Sequence, residues 1–322
     1  MILEELIRIP SPSREEGTAA DYLFSALSSL NPHRKGNNIW MSKGSGPVVL
    51  MDAHIDTVRP VEGWSRNPYE PIIEDGRLYG LGSSDDGGSL QAMIDAFQMI
   101  EPTKTTLVLT LSAEEEVSGN GGLESILPEL GPIVCGIIGE PTGLEMAVSE
   151  KGLMVLDCIA RGKAGHAARQ DGINAIYKAM DDIRVLMENG FQVTQIEAGT
   201  QHNVIPDSCR YVVDVRTAGN NLDTLETIKG LVRSEVHPRS TRLNGSCIPQ
   251  DHPLVKAGKA IGLKPVSSPT LSNQAICPFP TIKIGPGDPL CSHTADENIC
   301  LHAIREATKL YSQLYENLEQ RL

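Results

Sequence analysis

The residues best suited to chemistry stand where apolar runs end. Pro47-Val48-Val49-Leu50-Met51 leads into His54-Ile55-Asp56, and Thr106 to Leu111 leads into Glu114-Glu115-Glu116. Ile133 to Ile138 leads into Glu140, and Thr281-Ile282-Lys283-Ile284 leads through Gly285-Pro286-Gly287 to His293. Imidazole and carboxylate together suit zinc and its neighbours among the divalent metals. His54 and Asp56 are two apart, so in extended chain they share a side. Asp56 can then accept the imidazole N–H that faces away from a metal, which fixes the tautomer and raises ligand basicity.

Asp85 lies in Gly80-Leu81-Gly82-Ser83-Ser84-Asp85-Asp86-Gly87-Gly88, just ahead of a helix pattern. Glycine-rich loops before helices also cradle phosphates. Here no lysine closes the loop, and a carboxylate would repel phosphate. A carboxylate held between two cations is the better use of Asp85, since two-metal hydrolytic sites place their ions roughly 3.5–4 Å apart. Neighbours in extended chain point to opposite sides, so Glu115 and Glu116 can take different jobs. One binds metal; the other stays unligated and carries a proton. Singly, each residue has a plainer reading: a solvated Glu, a packed His, an Asp that starts a turn. Their joint delivery to one place points to a metal site.

That delivery requires a scaffold. Four short apolar runs read as buried parallel strands. The helix pattern Ser89 to Ile100 lies between the first two, with Leu90, Met93, Ile94 and Phe97 on one face. Strand, helix, strand is the grammar of a parallel sheet covered by helices, and in such sheets ligands bind beyond the carboxyl ends of the strands. Ser13 to Glu16 has the form of a capping box before an amphipathic stretch to about Leu30, and a last helix runs from Ile299 to about Leu318. From about Met146 to Asp251 the texture changes. Strand-like 152–160, helix 174–187, strands 193–198 and 211–216, helix 222–236 and a strand near 240–243 follow the βαββαβ order of a ferredoxin-like domain. The expected architecture is α/β. A catalytic domain at 1–146 and 252–322 carries a mostly parallel sheet flanked by helices, and a smaller domain at 147–251 is inserted into it.

Composition narrows the partners. Lys and Arg total 28 against 41 Asp and Glu, a formal net charge of −13. Nucleic acid and anionic membranes both demand a basic footprint, so neither is expected. No apolar run approaches the length of a membrane span. The seven cysteines are odd in number and scattered, which reads as reduced thiols in a cytoplasmic protein.

Taken together, these segments resemble the M20 metallopeptidase family, nearest its acetylornithine deacetylase and succinyl-diaminopimelate desuccinylase branch. The strings that carry the resemblance are Met51 to Val58, Gly80 to Gly88, Ser112 to Glu116, Gly139 to Thr142, Gly165-His166-Ala167-Ala168, Asn203-Val204-Ile205-Pro206 and Ser292 to Glu297, in family order over nearly the whole chain. The resemblance implies a phosphorylase/hydrolase-like catalytic domain with two zinc ions per chain, cobalt or another divalent metal substituting. His54, Asp85 and Glu140 would hold one ion, and Asp85, Glu116 and His293 the other. Asp56 would support His54, and Glu115 would be the general base. It also implies a cis peptide between Asp85 and Asp86. The inserted domain would be a lid and a homodimer contact, with His166 stabilising an oxyanion in the partner's site. Arg216 would clamp a substrate carboxylate, with Asn203 close by.

The activity so implied is removal of a small acyl group from an N-acyl amino acid, N-acetyl- or N-succinyl-ornithine foremost, as in arginine biosynthesis. Desuccinylation of diaminopimelate, dipeptide hydrolysis and a catalytically silent binding relative are the alternatives. Three departures from the resemblance stand out, the first two of which leave the hydrolytic core intact and bear on substrate recognition. Gly87 stands where many members carry Lys, Asn273 where many carry Asp, and no proline follows His166 closely.

Overall fold

The computed structural model describes residues 1–169 and 171–322 and divides them into two compact units. One comprises Met1–Ser149, Cys247–Ser268 and Ser272–Leu322; the other comprises Glu150–Ser246 and Pro269–Leu271.

The larger unit is built on a sheet in which neighbours follow the order His33–Lys35, Asn38–Gly44, Thr106–Ser112, Val48–His54, Ile133–Ile138, Thr281–Lys283 and Met146–Glu150. The four strands from Thr106–Ser112 to Thr281–Lys283 are mutually parallel, and antiparallel strands flank them. Alternation explains why their sequences are largely apolar, with Asp52, Thr110 and Lys283 among the few buried polar side chains. Val49, Met51, Leu107, Leu109 and Leu111 pack on one face, against Leu90, Met93, Ile94 and Phe97 of helix Gly88–Met99 and Ile304, Tyr311 and Leu314 of helix Leu301–Glu319. Val48, Leu50 and Val108 point the other way, onto Leu123, Ile126 and Leu130. A strand covered on both faces has no polar side to show. The expected mostly parallel sheet flanked by helices is the one found.

The smaller unit runs β–α–β–β–α–β. Its antiparallel sheet has the order Gln192–Ala198, Ser208–Thr217, Gly152–Arg161, Glu235–Pro238, with helices Ala175–Glu188 and Asn221–Leu231. Met154, Leu156, Cys158, Tyr211, Val213 and Val215 form its core with Ala175, Ala179, Leu186, Leu225 and Ile228 from the helices.

Three local expectations are corrected. The second helix of the smaller unit stops at Leu231, not Val236, because the Asp182 carboxylate accepts the N–H groups of Arg233 and Ser234 at 3.0 and 2.9 Å. Those amides are thereby withdrawn from the helix. The final strand consequently begins early, at Glu235–Pro238 rather than near 240–243. The Ser13–Glu16 capping box does not form either. The helix starts at Gly17 with no side-chain cap, and the Ser13 hydroxyl donates to Asp56 Oδ2 at 2.7 Å instead. Among the described residues no helix is long and apolar enough to cross a membrane.

At the far end of the last helix, buried Glu319 anchors the turn that feeds Thr106–Ser112. Its carboxylate accepts N–H groups from Thr103, Lys104 and Thr105 at 2.8, 2.8 and 3.1 Å, and hydroxyl hydrogens from Thr103 and Thr105. Burial alone would raise this carboxyl, but these donors hold it down to about 2. A carboxyl lowered on folding stabilises above its ordinary range and loses that contribution as pH falls toward the folded value. Glu319→Gln should therefore cost about 1–3 kcal/mol at neutral pH, and the deficit against wild type should shrink between roughly pH 5 and pH 3. Urea titrations across that range test this; a deficit independent of pH would contradict it.

Candidate active site

His54 is the last residue of its strand and is 3% exposed. Its Nε2 lies 3.1 Å from Asp85 Oδ1. Its Nδ1 lies 2.9 Å from the main-chain oxygen of Asp56 and 3.6 Å from that residue's carboxylate. The nearer acceptor for the imidazole is thus the peptide carbonyl. The Asp56 carboxylate is turned mainly to other work: Oδ1 accepts the N–H of Glu115 at 3.0 Å and Oδ2 that of Glu116 at 3.1 Å.

Every amide from Ala113 to Glu116 is held in this way by a side chain from elsewhere. Asn38 Oδ1 accepts from Ala113 at 3.0 Å, and Glu16 Oε1 accepts from Glu114 at 3.2 Å. Glu16 is fully buried, and its other oxygen accepts from the Asn37 amide at 2.9 Å. Glu114 itself takes a left-handed conformation, φ +57°, in which its side chain folds back toward Gly119 and Gly121. The turn aims Glu115 and Glu116 apart. His54, Glu115 and Glu140 offer ligand atoms that all lie within 4.8 Å of one another, and so do His54, Asp85 and Glu116. On the latter side His293 Nε2 lies 2.9 Å from Glu116 Oε2 and 3.6 Å from Asp85 Oδ2. Asp85, whose peptide bond to Asp86 is cis, therefore has its carboxylate between two imidazoles. The Ser292 hydroxyl also donates to Asp85 Oδ2.

Burial and like charge shape the electrostatics. Burial raises the carboxyls of Glu115 and Glu140, and each is a repulsive neighbour of the other or of Glu116 and Asp85. Burial raises Glu116 too, against the hydrogen bond from His293. Asp85 would also be raised by burial, but the His54 imidazole beside it outweighs that and brings it below the ordinary value. His54 shows the converse: burial would lower it, yet Asp56 and Asp85 lift it well above. Such a group of buried carboxylates around two imidazoles is what divalent cations would neutralise, and the donors are those zinc accepts. The residues fit a metal pair.

The remaining candidates belong to the smaller unit. Gly165–His166 pairs antiparallel with Val204–Ile205, and the Asn203 carbonyl accepts the N–H of Ala167 at 3.0 Å, so His166 and Asn203 are neighbours. Both are exposed. Arg216 lies on the Ser208–Thr217 strand, its guanidinium paired with Asp214 at 2.8 and 3.2 Å.

Two of the departures have local causes. A Cβ at Gly87 would come within 2.3 Å of both the Gly82 carbonyl oxygen and Leu3 Cδ1, so the first helix fills the space a side chain would need. Asn273 is buried and donates to Asp52 Oδ2 at 2.8 Å and Ser112 Oγ at 3.1 Å. It closes a polar contact onto the sheet; an aspartate there would set its carboxylate against that of Asp52. Sequence reasoning missed Glu16, Asn38, Ser13 as a partner of Asp56, and Ser292 as a partner of Asp85. The Ser13-x-x-Glu16 string suggested a helix cap, and Ser292 stood in the Ser292 to Glu297 string without a role of its own.

Comparison with known proteins shows the family. Residues 50–317 match the model of peptidase family M20/M25/M40. A protein of Pyrobaculum aerophilum named as a LysW-lysine/LysW-ornithine hydrolase is 28% identical, with 98% of this chain and 96% of the relative covered. An acetylornithine deacetylase of Klebsiella pneumoniae is 30% identical over 86% of this chain and 82% of its own. Among solved structures, a tripeptidase from Staphylococcus aureus shares the fold with a TM-score of 0.80 at 19% identity, covering 99% of this chain and 97% of that one. This chain belongs to peptidase family M20/M25/M40, whose members are metal-dependent hydrolases of amide bonds.

Proposed function

We propose that this protein removes a small acyl group from the α-amino group of an amino acid, with N-acetyl- or N-succinyl-ornithine the foremost substrates. The observation that carries the reading is the convergence on His54 of two groups of ligand atoms beyond the strand ends, Asp85 with Glu116 and Glu115 with Glu140, each group within 4.8 Å of one another. The likeness to an acetylornithine deacetylase over most of both chains supports the choice of substrate. In this reading His54, Asp85 and Glu140 hold one zinc ion, and Asp85, Glu116 and His293 hold the other. The pair, when bound, polarises the amide carbonyl as a Lewis acid and makes water more acidic.

The chain's own groups manage the proton. Glu115 is half-buried and raised by that burial, so it suits a carboxyl that must take a proton and give it back. It accepts the proton of the attacking water as the new C–O bond forms. It then delivers that proton to the departing nitrogen as the C–N bond breaks. Its backbone is fixed by Asp56, so the carboxylate meets water and amine from one position. His166 of one protomer stabilises the oxyanion in the site of its partner. Arg216 grips the substrate carboxylate; Asp214 takes its Nε and one Nη, which leaves the other Nη to the ligand. Asn203, beside His166, lies close to the same substrate.

The protein acts as a cytoplasmic homodimer through the smaller unit. The support is helix Ala175–Glu188, which exposes Tyr177, Met180 and Met187 at 68, 57 and 65% along one side. An apolar stripe of this kind marks a contact surface.

Glu115→Gln should lower kcat by at least about a thousandfold, within the range of a lost acid–base group and its proton return, while both metal ions remain bound. Hydrolysis assays with acetyl- and succinyl-ornithine, -citrulline and -diaminopimelate, and with dipeptides, test the substrate reading; preference for dipeptides would overturn it. Sedimentation should show a dimer that Met180→Glu converts to monomer, and a monomeric wild type would contradict the assembly.

A further inference from the structure

Glu297 is 2% exposed, and its side-chain acceptors are spent on one loop. Its Oε1 accepts the N–H of Ser84 at 2.8 Å and of Asp85 at 3.0 Å, and its Oε2 accepts the N–H of Gly82 at 2.9 Å. Its main-chain oxygen takes the N–H of Gly80 at 3.0 Å. Four amides of the segment that presents Asp85 are therefore gathered by one residue. The loop can converge in this way because Gly82 has φ +73°, where a Cβ would also strike Thr57 Cγ2 at 2.5 Å. Successive N–H groups turned to one point make an anion site, and the chain fills it with its own carboxylate.

The same short stretch reaches Asp85 from two further directions. The Ser292 hydroxyl donates to Oδ2, and His293 Nε2 stands 3.6 Å from that oxygen. Residues 292–297 thus hold the Asp85 side chain and its backbone at once. They also tie the loop of one imidazole to the carboxylate that meets the other, His54.

We propose that Glu297 is a positioning residue for both metal subsites: it ligates neither ion, but sets the backbone from which Asp85 reaches between His54 and His293. This rests on the reading of the site as a metal pair bridged by Asp85. A shared ligand gives a distinctive consequence. Loosening Asp85 weakens both ions together, whereas removing His293 weakens one. A carboxylate that only stabilised the fold would lower the melting temperature of the metal-free chain and leave ion affinity alone.

Calorimetric zinc titration of the metal-free full chain distinguishes these cases. In Glu297→Gln an amide N–H₂ would face backbone donors, and both binding steps should weaken about 10–100-fold, the usual scale for groups that orient metal ligands. Glu297→Asp keeps the charge on a shorter arm and should recover part of both affinities, which also secures the test if the Gln variant does not fold. His293→Ala should weaken one step only. Wild-type affinity at both steps in the Glu297 variants, or loss confined to one step, would overturn the proposal while the metal pair stands. A wild-type chain that binds fewer than two ions would overturn the metal pair and this proposal with it.

Discussion

Several carboxylates are buried within a few ångströms of one another at one edge of a sheet, and the surrounding architecture answers that repulsion. Unpaired buried charge is among the most expensive things a fold can contain. Two imidazoles, His54 and His293, meet part of it directly. The residues fit cations for the rest. What the fold itself supplies is rigidity: the backbone of each acidic segment is tied down by acceptors that stand behind it. Asp56, Glu16 and Asn38 secure the amides of residues 113–116. Glu297 does the same for the Asp85 loop. The acidic side chains therefore remain close although their charges favour separation.

This division of labour separates the carboxylates into two kinds. Glu115, Glu116, Glu140 and Asp85 face one another across the site. Asp56, Glu16 and Glu297 point into backbone, where N–H groups donate to their oxygens. The second kind adds nothing to the ligand set, yet it fixes distances, and distance decides whether a metal pair and a base can cooperate.

The sheet and the acidic edge were legible in the sequence because their signals are local. Val48 to Met51 is apolar since both faces are covered, and a run of that kind that leads on to His54 announces both a strand and what it delivers. The supports were illegible because their partners are remote. Ser13 and Asp56 are 43 residues apart, Glu16 and Glu114 are 98, and Glu297 and Asp85 are 212. Nothing near Ser13 distinguishes a hydroxyl that caps a helix from one that holds a carboxylate. The overlong helix beyond Leu231 fails for the same reason, since Asp182 captures its amides from 51 residues away. Asn273 illustrates a subtler case: the resemblance linked it to substrate recognition, but its amide is spent on Asp52 of the sheet.

The account stands or falls on ions between the strand ends. A crystal grown in zinc, with diffraction recorded on both sides of the zinc absorption edge, tests it most directly. Two anomalous peaks roughly 3.5–4 Å apart are predicted, both touching Asp85, one with His54 and Glu140 and the other with Glu116 and His293. A map with no peak between His54 and His293 would contradict it.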